Sequence, residues 1–115
     1  MTSRQMSPIQ LQTAYRMAVQ SSLTAFYRKS GDEAKRLVDR WWNRISRSSD
    51  IESGMYLHSE ALATAADLAH TEEVKLTDEV RQRYRRILHD STRAAIADQQ
   101  TKKVKAAAVL KQMAG

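Results

Sequence analysis

Apolar residues recur along most of this chain three and four positions apart, the interval at which a helix presents one stripe to a core. The first such run follows Ser7 and Pro8, a helix cap and a residue preset for the first helical turn, with Gln10 placed to complete a capping box. Met6 and Leu11 are spaced for a hydrophobic staple across that start. Leu11, Tyr15, Ala18, Val19, Ser22, Leu23 and Phe26 form the stripe, and the helix is expected to end near Lys29.

Ser30-Gly31-Asp32-Glu33 reads as a break and a second capping box, Glu33 reaching back to Ser30. Ala34, Leu37, Val38, Trp41 and Ile45 make the second stripe, while Trp42 lies about 100° round the helix from Trp41 and is expected at the edge of the core or outside it. Ser46 to Asp50 is a polar loop. A third helix is expected to begin between Asp50 and Ser53 and to run to Ala69, with Leu57, Ala61, Leu62, Ala65, Leu68 and Ala69 inward; its small side chains allow a neighbour to approach closely. Thr77 caps a fourth helix whose first turn carries Asp78 and Glu79, where the helix dipole favours negative charge. Its stripe is Val80, Tyr84, Ile87, Leu88, Ser91 and Ala95. Asp98, Gln99 and Lys102 hold the next inward positions, so core contact is expected to stop there. Ala106, Val109, Leu110 and Met113 then open a stripe in a new phase, which makes residues 99–115 a separate short helix or an extension that leaves the body.

The expected fold is therefore all-α: an antiparallel bundle of about four helices over a single domain, residues 1–115, with a core of about 7–98 and a basic C-terminal helical extension. With 3 Gly and 1 Pro in 115 residues, nothing in the composition competes with helix. A chain of this length buries roughly two-thirds of its unfolded surface without staples. The absence of Cys removes disulfides, thiolate nucleophiles and Cys-bound metals, and suits a reducing interior. Met1 to Pro8 has neither the charged start nor the apolar run of a signal peptide, and no apolar stretch approaches the ~20 residues of a membrane span, so a cytoplasmic protein is expected.

Charge changes the picture more. The formal net charge is +6, unevenly spread: residues 1–30 hold four basic and no acidic groups, 51–77 hold five acidic groups and one Lys, and 99–115 hold four Lys and no acid. Arg81, Arg83, Arg85, Arg86 and Arg93 surround the apolar stripe of the fourth helix and are candidate contacts for phosphate or an acidic partner, since guanidinium groups grip such anions bidentately. They are also ordinary surface helix formers, Arg86 and Asp90 being spaced for a routine ion pair. Lys102, Lys103 and Lys105 extend the same candidate surface, and Val109, Leu110 and Met113 beside them are candidate contacts for a protein partner, as is Trp42. The tail stripe also makes a homodimer conceivable.

Recognisable chemistry is missing. His58, His70 and His89 form no paired metal-ligand spacing, only Asp67 and His70 being spaced like ligands, and no metal or cofactor is expected. There is no Gly-rich phosphate loop and no serine elbow. A helix-turn-helix around residues 30–50 lacks the tight turn that sets a polar recognition helix after a positioning one. An enzyme is not expected. The sequence reads as a non-enzymatic macromolecule-binding protein, a small regulator, adaptor or inhibitor acting by protein contact, with DNA or RNA binding as the alternative.

Overall fold

The computed structural model describes residues 7–47 and 60–114, with side chains as far as 98. It is an all-α bundle of four helices among the described residues: α1 (Pro8–Phe26), α2 (Gly31–Ile45), α3 (Ala61–Leu68) and α4 (Asp78–Ala114).

Helix α1 starts as its sequence dictates. The Gln10 amide N–H donates to Ser7 Oγ over 3.1 Å and the Ser7 N–H donates to Gln10 Oε1 over 2.9 Å, the two halves of a capping box. Met6 lies outside the described residues, so the staple does too. The helix ends at Phe26, earlier than Lys29, because Arg28 takes a left-handed φ of 56° and the Lys29 N–H folds back onto the Leu23 carbonyl over 3.1 Å. The chain reverses there, and by the end of α2 Trp41 lies alongside Tyr15, their rings 5.9 Å apart, so these two helices run antiparallel.

At the start of α2, Ser30 Oγ accepts from the Glu33 N–H over 3.2 Å, but the reciprocal half of the box is not made. The Glu33 carboxylate turns instead to the Lys29 ammonium, 3.3 Å away. Ala34, Val38 and Trp41 are buried as expected, with Leu37 and Ile45 half-buried at the margin.

Helix α3 corrects the expected third helix. Its first described turn begins at Ala61, and Glu60 before it is extended (φ −67°, ψ 147°), so no helix runs unbroken from the Asp50–Ser53 region to Ala69. Those earlier positions, Leu57 among them, lie outside the described residues. The far end is a paired C-cap: the His70 N–H reaches the Asp67 carbonyl and the Thr71 N–H the Ala66 carbonyl, each over 3.1 Å, while His70 holds φ 54°.

Helix α4 opens on Thr77, whose Oγ1 accepts from the Val80 N–H over 3.2 Å. It runs on to Ala114 as one helix of 37 residues, so residues 99–114 continue α4 rather than forming a separate element. At ~1.5 Å per residue it is about 55 Å long, against about 28 Å for α1, and therefore overhangs the helix it packs on.

The core sits around α1, which packs against all three other helices. Seven of the thirteen buried apolar residues are Ala, so backbones approach closely and the aromatic rings of Tyr15, Trp41 and Tyr84 supply the bulk. Two expected stripe positions are wrong: Leu11, in the first turn of α1, is 40 % exposed and Leu88, at the flank of its stripe, 39 %. Thr64 and Ala66 are buried although outside the expected stripe, because α3 is enclosed on more than one side by α1 and α2.

Two features predict stability changes. Ser22 is fully buried and its hydroxyl has no hydrogen-bond partner among the described residues, so Ser22→Ala is expected to stabilise by about 1 kcal/mol in urea unfolding; a loss of stability would mean that the hydroxyl is satisfied after all. His70 is exposed at a left-handed position that glycine adopts freely, so His70→Gly is expected to raise stability by about 0.5–1 kcal/mol.

Candidate functional site

Interior, groove and surface are the three places where this bundle could hold chemistry. The interior offers hydroxyls. Three tyrosines converge on α3: Tyr15 Oη lies 2.7 Å from Thr64 Oγ1, Tyr27 donates to the Leu62 carbonyl over 3.1 Å and accepts from the Val74 N–H over 3.2 Å, and Tyr84 Oη accepts from the Leu62 N–H over 3.4 Å. Burial is the main cause that raises the pKa of both Tyr27 and Tyr84, and the backbone N–H groups of Val74 and of Leu62, respectively, oppose the shift. A phenol held neutral and already bonded to backbone is a fastening, not a proton shuttle. Because the folded state disfavours the phenolates, the stability these groups contribute is complete below the ordinary tyrosine range and is lost as pH rises through their folded values. The protein is expected to unfold more readily above pH ~10, with Tyr84→Phe flattening that alkaline limb in denaturation followed by circular dichroism.

An open groove of about 320 Å³ lies between the end of α1 and the segment after α3, among Phe26, Tyr27, Arg28, Ala69, Glu72 and Val74. Its lining mixes apolar with polar side chains, Lys29 and Thr71 among them, the Tyr27 hydroxyl is committed to backbone, and no His, Ser or Cys lines it among the described residues. Among the described residues no group of three or more His, Asp or Glu could hold a metal ion. His70 is exposed at its helix end, His89 is exposed beside Asp90 at 3.6 Å, and His58 lies outside the described residues.

The surface is where the sequence candidates fall. Trp42 is half-buried at the edge of the core, edge-on to Trp41 at 5.7 Å, with the Arg16 guanidinium 4.7 Å over its ring. One face of this candidate anchor is thus already covered. Arg81, Arg83, Arg85, Arg86 and Arg93 are all exposed, but the 100° step of a helix spreads them round α4 rather than gathering them. Arg83 lies 5.7 Å over the Phe26 ring, and Asp90 faces His89 instead of closing the expected pair with Arg86. Lys102, Lys103, Lys105, Val109, Leu110 and Met113 lie on the continuous helix, and their side chains are outside the described ones.

An aligned row of arginines lies on α2 and was missed. Arg36, Arg40 and Arg44 stand at i, i+4 and i+8, within about 80° of one another around the helix, and Arg47 follows in the turn after it. All four are exposed. The carboxylates nearby are engaged elsewhere, Glu33 with Lys29 and Asp39 with Lys35, each at 3.3 Å, and Asp32 sits in the first turn, where the dipole accounts for it. Among the described residues none of the four arginines has an ion-pair partner. The signal was in the spacing, hidden because Arg81 to Arg86 are denser in sequence although less aligned in space.

No helix among the described residues is long and apolar enough to cross a membrane. Comparison with protein-family models, curated proteins and solved structures finds no match, so the reading rests on the chain's own geometry.

Proposed function

We infer that this protein is a non-enzymatic macromolecule-binding protein that works through its surface, and that its partner is anionic. The observation that carries this reading is the row of exposed, unpaired arginines on α2, backed by a net charge of +6. Unpaired guanidinium groups on a helix held in place by its buried face offer bidentate donors to phosphate or carboxylate without first breaking an ion pair. A core made mainly of apolar side chains supports a binding role over catalysis. The reading of a regulator or adaptor that grips an apolar protein surface through Trp42 has less support, since Arg16 already stacks on that indole.

The test is fluorescence anisotropy of the full chain against labelled nucleic acid and labelled poly-glutamate at about 50 and 200 mM salt. Binding to at least one polyanion that weakens steeply over that range is expected. No binding to either at the lower salt would remove the reading and leave the charge as a solubility feature.

A further inference from the structure

We propose that the α2 arginine row, Arg36, Arg40 and Arg44 with Arg47, is a docking surface for the phosphate backbone of double-stranded nucleic acid, bound without regard to base sequence. The proposal rests on the polyanion reading above and names both the surface and its occupant.

Three observations select that occupant. First, the row is linear and rigid: the arginines on α2 span eight residues, about 12 Å of helix axis, and the opposite face is locked by Ala34, Val38 and Trp41 in the core. A duplex presents a fixed ladder of negative charge along its backbone, which a fixed row of cations can track without ordering a flexible partner. Secondly, the row has no exposed apolar anchor among the described residues. The residues exposed around it are Asp32, Lys35, Asp39 and Asn43, whereas a protein interface needs a desolvated apolar or aromatic centre to supply its affinity. Thirdly, no exposed ring stands beside it among the described residues. Single-strand binders stack bases on exposed aromatic side chains, and Trp42, the nearest on α2, is half-buried under Arg16.

The comparison within the molecule supports the same assignment. On α4 the five arginines share the described stretch with Asp78, Glu79, Asp90 and Asp98, and one of them lies over Phe26. Their charge is larger in number but is diluted and turned in several directions. The α2 row is smaller but aligned, and its arginines make no ion pair among the described residues.

The experiment measures binding of the full chain to a labelled duplex DNA, a duplex RNA, a single strand of the same length and poly-glutamate as salt is varied. For the unmodified protein, the plot of log affinity against log salt is expected to fall with a slope of about −3 to −4 on duplexes, about 0.9 for each of the four phosphates contacted. Replacing Arg36, Arg40, Arg44 and Arg47 together by Gln is expected to weaken duplex binding roughly tenfold or more and to flatten that slope by about 3 units. The matched variant, Arg81, Arg85, Arg86 and Arg93 all to Gln, removes the same charge and is expected to retain most of the slope. Circular dichroism and thermal unfolding check that both variants keep their helices, and Arg→Lys at the four α2 positions retains the charge on the same fold.

Equal losses from the α2 and α4 variants would overturn the proposal, because the effect would then be net charge alone. So would an α2 variant that binds like the unmodified protein. Poly-glutamate competing as well as duplex DNA would assign the row to an acidic protein, and tighter binding of the single strand would reject a duplex. Binding to no polyanion at all would defeat the broader reading first, which separates that failure from these. Duplex DNA and RNA share the proposed phosphate chemistry, and their relative affinities identify the source.

Discussion

An eight-residue helix has too few internal hydrogen bonds to persist in water, and α3 also lacks a side-chain cap, since Glu60 offers its first turn none. What holds it is the set of phenol hydroxyls brought to it by α1, the turn after it, and α4. Leu62 has both its N–H and its carbonyl engaged by tyrosines from different parts of the chain, and Thr64 is met by a third. Tyr84 thus does for the start of α3 what a local Ser or Asp does elsewhere, satisfying a first-turn N–H that would otherwise be buried and unpaired. The rest of the bundle depends on this fastening because α3 fills the space beside α1 with Ala and Leu side chains. Loosening it would expose the most closely packed part of the core.

This dependence explains which parts of the fold could be read from the sequence. Helix starts that rest on local chemistry, Ser7 with Gln10 and Thr77 with its following carboxylates, are visible because every participant lies within one turn. The half-made box at Ser30 fails for a reason just as local, the competing ammonium of Lys29 one turn from Glu33. The interruption before α3 was not legible, because nothing in the residues around Glu60 breaks a helix. Its capping partner, Tyr84, is more than twenty residues away. Leu11 and Leu88 illustrate a different limit: a stripe gives the direction of the core but not how far the neighbouring helix extends over it.

The candidate surface was legible only in part. Sequence reading weighs charges by their density along the chain, which draws attention to Arg81 through Arg86. Density is the wrong measure on a helix, where adjacent residues point about 100° apart and those four apart align. Applied to residues 36–47, the same periodicity that locates the core locates an arginine row, and its lack of counter-ions emerges only when Glu33 and Asp39 are seen turned toward lysines.

The bundle's geometry also determines how that charge is felt. Helices α2 and α4 both pack on α1 and share no comparable contact with each other, so their outer faces are separated by more than one helix diameter. That distance, over ~10 Å, exceeds the screening length at 0.1 M salt. A partner approaching one face is therefore governed by the groups on that face, with the other helix contributing little. The +6 of the whole chain is not one diffuse field but several local surfaces of unequal quality. Among them α2 combines alignment and exposure with arginines that make no ion pair among the described residues, while α4 combines more arginines with Asp78, Glu79, Asp90 and Asp98. A surface of the first kind can be selective for the geometry of what it binds, whereas one of the second kind mainly keeps a protein soluble.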